Sequence, residues 1–194
     1  MGINQIEIDG NWDKGYVLDQ HVSRSVPIGE NAYGRMEFDT TRTELGELLF
    51  QYKYRNKSSC LEKIIELIKP FLDTWEELKD VDIVMPVPPT KQREHQPATE
   101  IARSIAEYLR VSFIDEILEK TSTEQAKDST GTTGDIKISI RAREKATREH
   151  TILLVDDLYG TGNTMSECVT VLRDDPKLTK IYVLAMTKKK DKII

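Results

Sequence analysis

Residues 152–164 read ILLVDDLYGTGNT: an apolar run, two adjacent carboxylates, then a Gly-Thr-Gly loop. A short continuous apolar run suits a strand buried on both faces, as a parallel sheet requires. The glycines behind it let backbone amides turn inward without a Cβ in the way. A helix starting near Asn163 would add the partial positive charge of its N-terminus. Met165, Cys168, Val169 and Leu172 recur at the spacing of a buried helix face. Open parallel sheets bind ligands beyond the carboxyl ends of their strands, and Asp156 and Asp157 stand at such an end. Carboxylates would repel an anion held by the loop, so one ligand must offer hydroxyls to the acids and a phosphate to the amides. A ribose 5-phosphate does both. The plainer alternative is an ordinary strand-to-helix turn in which Asp157 only caps. The acid pair, the T-G-x-T ending and the apolar frame occurring together argue against it.

Elsewhere the pattern alternates strand and helix. VDIVMPVP (81–88) and IYVLAM (181–186) read as buried strands, and ATEIARSIAEYLR (98–110) as an amphipathic helix. TRTELGELLFQYKYR (41–55) begins with a Thr41–Glu44 capping box and carries Leu45, Leu48, Leu49 and Tyr52 on one face. A second helix starts at Ser59 with a box to Glu62, and Pro70 ends or kinks it. Residues 1–40 supply one or two short strands with turns. The segment 121–135 is crowded with Thr, Ser and Gly and reads as a long loop. The whole gives an α/β domain over 1–194, with a mainly parallel β-sheet flanked by helices and a flexible lid at 121–148.

Composition narrows the classes. At 38% apolar and 31% charged, without an apolar run long enough to cross a bilayer, the chain reads as globular, with no membrane partner. The start lacks a secretory pattern, so a cytoplasmic location is expected. Cys60 and Cys168 are too few for a zinc site and read as buried thiols. A net charge of -5 argues against general nucleic-acid binding. Yet Lys137, Arg141, Arg143, Lys145 and Arg148 form a basic stretch, either a solvated face or part of an anion site. Trp12 and Trp75 read as packing residues, and His95 and His150 as surface ones.

VDDLYGTGNT resembles the phosphoribosyl pyrophosphate motif of type I phosphoribosyltransferases. MPVPPTK with the helix QPATEIARSIAEYL, the segment TRTELGELLFQYKYR and LDQH (18–21) resemble the ComF-like (competence protein F-like) branch. The chain departs from that branch in having no N-terminal cysteine-rich zinc element and in Glu94-His95 where Gly-Phe is frequent. Its end, MTKKKDKII, leaves little room for an acceptor-selecting hood.

The resemblance implies the type I phosphoribosyltransferase fold. It implies transfer of ribosyl phosphate from phosphoribosyl pyrophosphate to an acceptor, with release of pyrophosphate. Asp156 and Asp157 would hold the ribose hydroxyls, and Leu158, Tyr159, Gly160, Thr161, Gly162, Asn163 and Thr164 would cradle the 5-phosphate, with the Tyr159 ring turned outward. Val87, Pro88, Pro89, Thr90 and Lys91 would meet the pyrophosphate. Lys127 and Arg143 of the lid would close on the leaving group. Mg2+ is implied, held mainly by substrate and water, with no certain protein ligand. A homodimer is a further expectation. The alternatives are a non-catalytic ligand-binding regulator and a competence or DNA-uptake accessory protein that meets single-stranded DNA or DNA-processing proteins.

Overall fold

The computed structural model describes residues 2–55, 57–89, 95–123 and 137–189. Its main sheet has six strands: β1 (Ile6–Glu7), β2 (Lys14–Gln20), β5 (Ile83–Pro86), β6 (Ser112–Phe113), β9 (His150–Tyr159) and β10 (Leu178–Lys188). They lie in the order β1-β2-β10-β9-β5-β6, parallel except for β1 at one edge. Two antiparallel ribbons stand apart from it. One joins β3 (Val22–Glu30) to β4 (Met36–Arg42), the other β7 (Leu118–Thr123) to β8 (Lys137–Ala142).

The strands alternate their side chains between two apolar layers, as a pleat requires. Leu153, Val155, Tyr182 and Leu184 face one layer, with α1 (Glu44–Arg55), α2 (Ser59–Thr74) and α3 (Pro97–Leu109). Ile152, Leu154, Ile181 and Val183 face the other, with α4 (Asn163–Arg173), Leu118 and Ile140. Trp75 and Trp12 are buried in the first and second layer respectively, as packing residues. The chain leaves β5 through α3 on one face and leaves β9 through α4 on the other. Neighbouring strands whose connections diverge open a crevice at their carboxyl ends, the usual ligand position in such sheets.

Several local expectations are corrected. The first forty residues hold four strands or parts of strands rather than one or two, and β2 is an integral member of the main sheet. Thr41 pairs with Arg24 in the β3–β4 ribbon, so it cannot cap α1. Thr43 does so instead: its hydroxyl accepts from the Gly46 amide at 3.0 Å and donates to the Gln20 carbonyl at 2.7 Å. The Ser59–Glu62 box is not formed as expected, because Ser59 is already helical and Ser58 makes no side-chain cap bond. Pro70 neither ends nor breaks α2, which runs on to Thr74. A proline inside a helix costs about 3 kcal/mol. Burying Phe71 and Leu72 just beyond it returns about 1.5–3 kcal/mol each, enough to carry the helix through. Lys137–Ala142, expected as lid, is a strand; Ile140 is buried and its amide donates to Glu167 of α4 at 2.9 Å. The loop string 131–134 lies outside the described residues.

Gly46 is where α1 meets the end of β2. A Cβ there would stand 2.2 Å from the His21 carbonyl oxygen. Gly46→Ala is therefore expected to lower stability by about 1–3 kcal/mol in urea denaturation. Gly160→Ala, where a Cβ meets nothing within 4 Å, should leave stability nearly unchanged.

Candidate functional site

The acids end the buried part of β9, and the pleat sends them to different sides. Asp157 continues the row of Leu153 and Val155 toward α1, where it forms an ion pair with Lys53. Asp156 continues the row of Ile152 and Leu154 toward α4. Its Oδ1 accepts the Asp157 amide at 2.8 Å. Burial, and then the charge of Asp157, push the Asp156 carboxyl up to about 7. Two oxygens, Oδ2 of Asp156 and Oδ1 of Asp157, lie outside these two contacts. One open oxygen on each acid suits a pair of adjacent hydroxyls.

Two cavities meet at the pair. A cavity of about 210 Å3 is lined by Asp156 and by Leu158 through Met165. Gly162 precedes α4 with φ +82°, a conformation that favours glycine, and no side chain caps the helix. The first-turn amides of α4 are thus left available to an anion. The other cavity, about 330 Å3, is lined by Val87, Pro88 and Pro89 after β5, by Gln96, Pro97 and Ala98 at the start of α3, and by Asp156, Asp157, Leu158 and Thr164. The Val87 amide donates to the Val155 carbonyl at 2.8 Å, which fixes one rim against the other. The cations lining this cavity among the described residues are Lys53 and Lys120.

Most of the residues read from sequence thus converge. Asp156, Asp157, the 158–164 stretch and Val87–Pro89 border a continuous pair of cavities. Leu158 and Tyr159 differ in detail, because β9 extends through them and they pair with Thr187 and Lys188 of β10. The Tyr159 ring does not turn away from the loop; a Cβ on Gly162 would stand 2.5 Å from its hydroxyl. Arg143 is not brought to the acids. It and Arg141 both pair with Glu119, beside a separate cavity of about 710 Å3 between β8 and α4. Thr90, Lys91 and Lys127 lie outside the described residues.

Sequence reasoning missed Lys53, which carries no motif and looks like one cation among many on an amphipathic helix. The helical period offers one signal: Gly46, Leu49 and Lys53 share a face, so a lysine there is aimed inward. His21 closes the LDQH segment. Its Nδ1 lies 3.0 Å from the Thr187 hydroxyl, and burial, followed by Arg42 and Lys53, holds its pKa below the usual histidine value. His150 is only 14% exposed, not a surface residue. Cys60 and Cys168 are buried free thiols, and burial pushes Cys168 up to about 12.

No protein-family model and no curated relative matches the chain. Its fold does have counterparts among solved structures. An adenine phosphoribosyl transferase from Trypanosoma brucei, in complex with AMP, pyrophosphate and ribose-5-phosphate, superposes with a TM-score of 0.50 at 12% identity, over 95% of this chain and 74% of that one. An orotate phosphoribosyltransferase from Aeropyrum pernix gives 0.43 at 13% identity, over 87% and 76%. A phosphoribosylpyrophosphate synthetase from Mycobacterium smegmatis gives 0.40 at 15% identity; this chain matches over 64% of its own length and spans only 32% of that protein. The mainly parallel sheet flanked by helices is the phosphoribosyltransferase fold. At this identity the likeness is one of fold.

A carboxyl raised from 3.8 to about 7 binds its proton more tightly in the folded state. Its stabilising contribution is full below pH 4 and is lost as pH rises through 7. Asp156→Asn removes that loss. The variant should match wild type near pH 4 and exceed it at pH 8 by about 1 kcal/mol or more, a gain of roughly 2–4 °C in Tm per kcal/mol for a chain of this size. Thermal unfolding across pH measures the difference.

Proposed function

We propose that the chain binds phosphoribosyl pyrophosphate and transfers its ribosyl phosphate to an acceptor, releasing pyrophosphate. The observation that carries this reading is the position of the acid pair between two anion-suited cavities that share Asp156, Leu158 and Thr164. A ligand with a diol at its centre and a phosphate at each end has the matching order of groups. The 5-phosphate would take the loop and the uncapped start of α4. The ribose hydroxyls would take the open oxygens of Asp156 and Asp157, and the diphosphate would lie along Val87–Pro89 toward Lys120.

In the reaction, a nucleophile on the acceptor forms a bond to C1 of the ribose as the bond from C1 to the pyrophosphate oxygen breaks. The bonding electrons leave with pyrophosphate, and the acceptor releases its proton to solvent. Positive charge develops on the ring in between, beside the acid pair, which stabilises it more than it does the neutral sugar. Holding the ligand at both ends fixes C1 and supplies much of the catalysis by positioning. Among the described residues no group of three His, Cys, Asp or Glu side chains gathers to cage a metal. Mg2+ would be carried on the diphosphate and water, where it would neutralise leaving-group charge.

A binding protein without turnover is the second reading, favoured by the diversion of Arg141 and Arg143 to Glu119. Both readings require the ligand, and pyrophosphate release with a panel of bases and amines separates them. Hydrogen bonds to a charged partner contribute about 1.5–3 kcal/mol each, so losing two predicts about 100-fold weaker binding or worse. Asp156→Asn with Asp157→Asn should show that loss in calorimetry with phosphoribosyl pyrophosphate, with the circular dichroism unchanged. Affinity retained by the double variant would sink the site assignment.

A further inference from the structure

The two faces of the main sheet are covered unequally. α1, α2 and α3 pack on one layer, whereas α4 is the only helix on the other among the described residues. It lies against β10 and β8. Ile83 and Met85 of β5 face the same layer, and over them the cover is the β7–β8 ribbon and the residues that follow it. A sheet face is closed by a packed layer across its width, and one helix with one ribbon leaves part of this face open. The opening is the cavity of about 710 Å3.

Ile83, His150 and Leu178 are the first residues of β5, β9 and β10, so the cavity lies at the amino edge of the sheet. The acid pair stands at the carboxyl edge, and no residue lines both this cavity and either of the two at the acids. Its volume falls within the roughly 300–1,000 Å3 usual for small-molecule pockets. Ile83, Met85, Ile140, Leu172 and Leu178 are buried and make the wall apolar. His150 is the ring set among them, and its buried Nδ1 has no hydrogen-bond partner. The Asp82 carboxylate beside it is 3.9 Å away, too far to serve.

Charge at the rim is already balanced. Arg141 and Arg143 are held by Glu119. Asp175 accepts the amides of Ala146 and Lys177, and these, with the charge of Lys145, keep its carboxyl below the usual range. Glu144 and Asp174 are exposed to water. An incoming ion would have to be desolvated with little to meet it, whereas a neutral molecule would not.

We propose that this cavity is a second ligand site, for a neutral, largely apolar molecule of one or two rings that carries one hydrogen-bonding group for His150. The polarisable thioether of Met85 suits a ring against it. This site stands independently of the function proposed above.

Methyl NMR spectra of the full chain, titrated with indole, quinoline and indene, test it. Indole brings an N–H donor, quinoline a ring-nitrogen acceptor, and indene the shape of indole with neither. Saturable shifts of the Ile83, Ile140 and Leu172 methyls are expected, with a Kd of about 1 mM or below. Whichever of indole and quinoline complements the His150 tautomer should bind about 2–10-fold tighter than indene, and His150→Phe should erase that preference. Val171 lines the cavity from α4, and Val171→Trp should fill it and weaken all three probes roughly 10-fold or more. The proposal is overturned by the absence of saturable shifts at those methyls, by equal binding of the three probes, or by a preference that survives His150→Phe. Binding left intact in a folded Val171→Trp variant overturns it too. If Val171→Trp does not fold, the methyl map and the His150→Phe comparison still decide.

Discussion

Parallel pairing of β5 with β9, closed at its end by the Val87 amide on the Val155 carbonyl, sets the two halves of the site against each other. Parallel strands must end at the same edge, so their following loops are neighbours however far apart they lie in sequence. Because α3 and α4 then depart on opposite faces, neither helix roofs the gap. The cavities, the acid pair and the helix starts aimed at them are consequences of that one divergence. Long β9 and β10 extend the same edge, bringing Thr187 beside Leu158 on one side and Asp19 on the other.

Electrostatics at this edge are arranged by depth. The pleat gives the two acids different neighbours: Asp157 meets the Lys53 ammonium, while Asp156 accepts the Asp157 amide. At the hairpin β7–β8 the cations are spent within the fold. Arg141 and Arg143 hold Glu119, whose carboxyl they keep well below its usual range. A basic stretch in the sequence is therefore not a basic surface of equal extent.

The core of the site was legible because its signals are local. ILLVDDLYGTGNT encodes strand, acids, loop and helix within thirteen residues, and the structure has a strand over His150–Tyr159 and a helix over Asn163–Arg173. Val87–Pro89 was legible by the same logic, a strand end broken by prolines. What escaped depends on contacts between distant segments. Lys53 and His21 acquire meaning only when α1 and β2 are docked, and no spacing in the sequence states that docking. Strand β8 was obscured for a different reason: the charges of KISIRA drew attention from its alternating Ile138 and Ile140. Thr41 and Thr43 were confused because capping by threonine is decided by which residue the β3–β4 ladder has already claimed.

Gly46 and Lys53 are seven residues apart, two turns along one face of α1, so the glycine that lets the helix touch the His21 carbonyl also determines how far the lysine reaches. A side chain at position 46 would lift the helix and withdraw the ammonium from Asp157 while leaving each acid in place. A screen that scored only ligand capture would read such a change as a binding-site lesion. In this fold a spacer glycine and a charged group act as one mechanical unit, the first setting the reach of the second.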